Sequence, residues 1–161
     1  MPKQSVPAIF LVADNIRSLY NVGALFRNSD AFGVAKLYLC GYTGTPPSKE
    51  IAKTALGAET TVPWEHCRQV LPLLRRLRKV GVRIIALERA RGSIALPDFH
   101  PRYPLALVVG NEVFGVSPAV RRFSDAVVSI PMAGAKESLN VAVAAGVALY
   151  ALTAATSRPA A

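Results

Sequence analysis

Five apolar runs of strand length punctuate the chain: AIFLVA (8–13), KLYLC (36–40), VRIIAL (82–87), LALVVG (105–110) and AVVSI (126–130). Few of their positions alternate with polar residues, so both faces of most of these strands must be covered, as in parallel sheets sandwiched between helices. Segments with helical spacing lie between them, at about 22–32, 66–79, 118–123 and 139–155. The alternation of strand and helix predicts a wound α/β fold, with a weaker strand near 59–62. Local chemistry supports the boundaries: Ser117 before Pro118 reads as a cap and first-turn pair, and Gly33 and Gly81 close the helices that precede them. The chain has 161 residues, enough for one core without disulfides or structural metal, so a single domain over 1–161 is expected.

Charge and cysteine usage narrow the functional classes. Lys and Arg outnumber Asp and Glu by 19 to 10, a net charge of +9 that makes a polyanion the first partner to consider, beside the plainer reading of a basic globule. Cys40 and Cys67 form no CxxC pair and suit reduced thiols. The N-terminal apolar run meets Asp14 and Asn15 too soon for a signal peptide, and the Ala-rich stretch 139–155 is too short and too weakly apolar to span a membrane. A cytoplasmic protein without a membrane segment is expected.

In a wound sheet, ligands sit beyond the carboxyl ends of the strands, and three unusual constellations fall there. The first, DNIRSLYNVGALFRNSDAFGV, crowds Asn15, Arg17, Asn21, Gly23 and Arg27 around the start of one helix. Asn21 and Gly23 read either as local features, a helix cap and a turn residue, or as site residues. Arg27 offers a planar fork suited to phosphate or carboxylate. The second, LVVGNEVFGVSP, ends a buried strand in Gly110, Asn111 and Glu112, with Gly110 and Gly115 permitting close approach of backbone to a ligand. The third, SIPMAGAKESLNVAVAAGVALY, leads from a strand through a loop to Ser138, Leu139 and Asn140. Ser138 can cap the helix, and the Asn140 amide in an apolar wall needs polar partners. No GxGxxG and no GxxxxGK followed by Ser or Thr occurs, which argues against a dinucleotide oxidoreductase and a nucleoside triphosphatase.

Together these segments resemble the three signature motifs of the SpoU (TrmH-like) RNA 2′-O-ribose methyltransferases of the SPOUT class, in order, across most of the chain. The matching residues are Asn21, Gly23 and Arg27 as NxGxxxR, then GNEVFGVS from Gly110, then IPMxGxxxSLNV from Ile130. Ala142 stands where many members carry a small hydroxyl residue.

The resemblance implies a Rossmann-like, mostly parallel sheet with helices on both faces, a C-terminal trefoil knot and a homodimer. It implies S-adenosylmethionine as cofactor, contacted by Leu87, Gly110, Ile130, Met132 and Leu139, with no metal. The substrate would be a ribose 2′-hydroxyl in tRNA or rRNA. It makes Arg27, Asn21, Glu112, Ser138 and Asn140 the catalytic group. Because a guanidinium stays protonated, the physical part for Arg27 is to orient a phosphate and stabilise a developing alkoxide. His66 and His100 lie apart from the motifs and read as ordinary residues.

Arg17, Arg89, Arg91, Arg121 and Arg122 lie near the motif loops and are expected to face RNA. Arg68, Arg75, Arg76, Arg78 and Lys79 load one helix and read either as a phosphate-contacting face or as a solvated one. Nothing before the first motif resembles a separate RNA-binding extension. A non-catalytic RNA-binding module on the same fold is the alternative.

Overall fold

A computed structural model describes residues 6–157; residues 1–5 and 158–161 of the expected domain lie outside the described residues. Seven strands form one sheet: β1 (Ile9–Asp14), β2 (Lys36–Cys40), β3 (Trp64–Cys67), β4 (Arg83–Leu87), β5 (Ile94–Ala95), β6 (Leu105–Val109) and β7 (Ala126–Ser129). Their order is β3-β2-β1-β6-β4-β7-β5, and each neighbouring pair is parallel.

The central strands β1 and β6 are almost wholly buried, as their unbroken apolar runs require. Their side chains alternate between two cores. On one face Leu11, Leu107, Leu25, Phe26 and Leu149 pack together under α1 (Leu19–Ala31), α2 (Lys49–Ala55) and α6 (Val141–Ala154). On the other, Val12, Val108 and Ile84 meet Leu74 of α4 (Val70–Lys79) and Val120 of α5 (Pro118–Phe123). Helices thus cover both faces, as expected.

Several local expectations change. The segment near 59–62 is a short helix, α3 (Ala58–Thr61), while Trp64–Cys67 is strand β3. As a half-exposed edge strand, β3 carries polar residues and lacks the apolar run that marks a buried one. Ser18 caps α1 through Asn21 N at 3.2 Å, so the Asn21 side chain is free of that task. Asn140, and not Ser138, caps α6: its Oδ1 accepts from Ala142 N at 2.9 Å and Val143 N at 3.2 Å. Ser117 caps α5 ahead of Pro118, as read from the sequence.

Gly23 lies inside α1 and not in a turn. A Cβ there would strike Ile51 O and Thr54 Oγ1, so the motif glycine lets α1 and α2 approach closely. Cys40 and Cys67 stand opposite each other on β2 and β3 as free thiols, and burial pushes both thiols up. No helix among the described residues is long and apolar enough to cross a membrane.

Candidate active site

The loops after β4, β6 and β7 converge at the carboxyl end of the sheet around a cleft of about 520 Å³. That is a volume suited to a cofactor-sized ligand. All five positions expected to contact a cofactor line it: Leu87 ends β4, Gly110 follows β6, and Ile130, Met132 and Leu139 lie after β7. Glu112, Ser138 and Asn140 line it too, as do Arg89 and Arg121.

Its chemistry fits an adenosine-bearing cofactor. Leu87, Ile130, Met132 and Leu139 offer apolar surface. Among the described residues, no backbone group from Met132 to Leu139 makes a hydrogen bond within the chain, leaving donors and acceptors free to read the edge of a base. No group of three or more His, Cys, Asp or Glu among the described residues is placed to hold a metal ion.

A hydrogen-bonded chain runs along the rim. Asn140 Nδ2 donates to Asn21 Oδ1 at 3.0 Å, and Asn21 Nδ2 donates to Glu112 Oε1 at 3.0 Å. Glu112 also accepts from Ser18 N at 3.0 Å and from Arg17 N at 2.9 Å. Burial pushes the Glu112 carboxyl up, but the Arg17 and Ser18 amides and the Asn21 side chain outweigh it and hold it below the ordinary value. The chain therefore joins the three motifs: the cap of α6, the first turn of α1 and the loop after β6.

That loop is fixed from within. Asn111, buried, donates from Nδ2 to Asn15 O at 2.9 Å and to Tyr42 Oη at 2.7 Å, and its Oδ1 accepts from Val113 N at 2.8 Å and Phe114 N at 2.9 Å. A Cβ on Gly110 would strike the backbone of Gly115 and Val116. The close approach foreseen for this glycine is to the loop itself as well as to the cleft.

Arg27 is the exception. It is exposed on α1, does not line the cleft, and has no hydrogen bond or ion pair among the described residues. Six positions past Asn21, it lies about 9 Å further along the helix and on another face. Arg91 and Arg122 line an adjoining hollow of about 370 Å³ that shares Pro118 and Arg121 with the cleft, and Arg17 is exposed beside Glu112.

On α4, Arg76 is paired with Glu65 at 2.7 Å, and Arg78 bonds Phe123 O, lies over the Phe123 ring and reaches Asp125 at 3.3 Å. Those two are tied to the protein's own groups, which favours the solvated-face reading for that helix. His66 Nε2 meets Gly41 O and His100 Nδ1 meets Asp98 O, both outside the cleft.

Three residues with clear tasks were not assigned one from the sequence: Asn111, Tyr42 and Glu88. Asn111 sits between two glycines' worth of loop and Glu88 directly follows a buried strand, both signals of a ligand loop; Tyr42 carried no signal beyond its place in a short loop.

The sequence profile of the SpoU rRNA methylase family matches residues 8–150. The chain belongs to this family. It is 38% identical over 145 residues to an uncharacterized tRNA/rRNA methyltransferase of Mycolicibacterium paratuberculosis, covering 90% of this chain and 47% of that one. It is 37% identical over 144 residues to the 23S rRNA (guanosine-2′-O-)-methyltransferase RlmB of Nitrosomonas europaea, covering 89% and 55%.

Among solved structures, the AdoMet-bound rRNA methyltransferase of Sinorhizobium meliloti superposes with a TM-score of 0.84 at 29% identity, covering 93% of this chain and 56% of that one. A protein reported for 2-OH methylation of C/U34 on tRNA superposes with a TM-score of 0.85 at 28% identity, covering 96% and 100%. The chain spans about half the length of the curated relatives it matches.

Proposed function

We propose that this SpoU-family protein transfers a methyl group from S-adenosylmethionine to a ribose 2′-hydroxyl of tRNA or rRNA, in the cytoplasm and as a homodimer. The observation that carries the reading is the Asn140–Asn21–Glu112 chain at the rim of a cleft lined by all five expected cofactor positions. Family membership supports it. The neighbour matched over its whole length supports tRNA as the first substrate to test.

Bound in the cleft, S-adenosylmethionine supplies an electrophilic methyl group. The residues of the chain hold the reactants in line, which is where most of the gain in such a displacement arises. Glu112 and Asn21 fix the loop after β6 against α1, and Asn140 fixes the start of α6, so the two walls of the cleft keep their spacing. The Ser138 hydroxyl stands in the same wall to position the ribose. Arg89 and Arg121 line the cleft, Arg91 and Arg122 line the adjoining hollow, and Arg17 is exposed beside Glu112, all without ion pairs among the described residues, which suits contact with an RNA backbone.

Arg27 enters from a second copy. On α6, Val143, Val147 and Tyr150 form an exposed apolar stripe, and on α1 Tyr20, Arg27 and Ala31 share the outward arc beside it. The Phe32–Tyr150 edge contact, with ring centres 6.3 Å apart, joins the two helices. A partner packed on this face buries the stripe and carries Arg27 toward the neighbouring cleft. There the guanidinium orients a substrate phosphate and stabilises charge on the 2′-oxygen.

Incubation with labelled S-adenosylmethionine and unmodified tRNA or rRNA tests the reading. Label is expected in RNA. A protein that binds the cofactor and RNA but never transfers label would favour the non-catalytic module.

A further inference from the structure

We infer that Glu88 is a positioning residue: its carboxylate ties the loop after β4 to the loop after β6 and so sets the affinity of the cleft for S-adenosylmethionine, while the Asn140–Asn21–Glu112 chain governs turnover. The inference rests on the functional reading above.

Glu88 follows the last residue of β4, is half-buried and lines the cleft. Its two oxygens serve two different segments. Oε1 accepts from Arg89 N at 2.9 Å, within its own loop, and Oε2 accepts from Val116 N at 2.7 Å, at the far end of the glycine loop. Although Arg89 and Arg121 line the same cleft, Glu88 forms no ion pair among the described residues; its charge is directed onto backbone N–H groups.

The loop is shaped around this carboxylate. Gly115 holds φ +68°, and a Cβ there would collide with Glu88 Oε2. A side chain at that position would push the carboxylate off Val116 and strain the backbone at once. The loop is thus anchored twice by carboxylates: Glu112 pins its middle to α1, and Glu88 pins its end to β4. Val113, Phe114 and Gly115, between these anchors, line the cleft together with Val109, Gly110 and Asn111 just before them.

The two anchors touch different parts of the reaction. Glu88 joins two cofactor-facing loops and reaches none of Asn21, Asn140 or the first turn of α1. Its loss should loosen the cofactor's walls and leave the motif chain intact. A glutamine has one acceptor oxygen where the carboxylate has two, so Glu88→Gln can serve one N–H and sets its own amide hydrogens against the other.

Calorimetric titration with S-adenosylmethionine, steady-state kinetics and amide hydrogen exchange test the inference on the full chain. For Glu88→Gln we expect the Kd for S-adenosylmethionine to rise about tenfold, with kcat at saturating cofactor within about twofold of wild type. The Val116 amide should exchange faster. Gly115→Ala should shift Kd in the same direction.

A Kd within about twofold of wild type with unchanged Val116 protection overturns the inference, as does a fall in kcat at unchanged Kd. A wild-type protein that binds no S-adenosylmethionine overturns the functional reading and the affinity half of the inference with it; Val116 exchange still decides whether the clamp exists.

Discussion

Asn140 Nδ2 donates to Asn21 Oδ1 at 3.0 Å across 119 residues of sequence, joining the cap of the last helix to the first turn of α1. The same Asn140 uses its Oδ1 to cap α6, so one side chain does two separable things. An aspartate keeps the cap acceptor and loses the donor. Asn140→Asp is therefore expected to keep its thermal midpoint close to wild type while kcat falls at least about tenfold. Asn140→Ala should lose the cap as well, at a cost of about 1 kcal/mol. Thermal melts beside methyl-transfer kinetics separate the two effects.

Arg27 and Asn21 belong to one motif yet lie on different faces of α1, and in the proposed homodimer they would serve different clefts. Arg27→Ala should lower kcat about a hundredfold or more and leave the affinity for S-adenosylmethionine unchanged. Mixed dimers of Arg27→Ala with Asn21→Ala are expected to regain activity, because one of the two clefts then receives both intact residues. Absence of rescue in verified heterodimers would return Arg27 to a role within its own chain.

Val147→Glu places a charge in the exposed apolar stripe of α6. Sedimentation should show a shift to monomer, with cofactor binding largely retained and methyl transfer lost. A dimer that persists unchanged would show that this face is not the interface.

How much of this was legible beforehand depends on the kind of signal. Buried strands such as β1 and β6 announce themselves as unbroken apolar runs, and Ser117-Pro118 marks the start of α5 to the residue. The edge strand β3 and the two-residue β5 carry no such run, because an edge needs no apolar residues on both faces. Motif residues were readable as types but not as tasks. Gly23 reads as a turn until α2 is seen against it, and Asn21 reads as a cap until Ser18 takes that place. The C-terminal trefoil knot is an expectation of the family resemblance alone, since a knot is a property of the chain's path that no periodicity carries.

Gly23→Ala should destabilise the protein by about 1–3 kcal/mol, since the added methyl meets the Ile51 carbonyl and Thr54 across a closely packed helix pair. Chemical denaturation measures this directly. A neutral result would mean that α2 can move aside.

Glu65 links stability to pH. The Lys36 ammonium and the Arg76 guanidinium beside it hold its carboxyl down at about 2, against an ordinary value of 4.5. A depressed folded-state value contributes stability that is fully present above 4.5 and is lost as pH falls toward about 2. The pairs are partly exposed, so the contribution is small, on the order of 1 kcal/mol or less. The difference in thermal midpoint between wild type and Glu65→Gln should be largest near neutral pH and vanish through that window. A difference that stays constant down to pH about 2 would contradict the assignment.

Nucleoside mass spectrometry of tRNA and rRNA lacking this activity, after incubation with S-adenosylmethionine and either the wild-type protein or Arg27→Ala, tests both methyl transfer to ribose and the part of Arg27 in it. A new 2′-O-methylated nucleoside is expected with wild type and its near absence with the variant. Methylation on a base, or an equal yield of the 2′-O-methyl product from both proteins, would contradict this expectation.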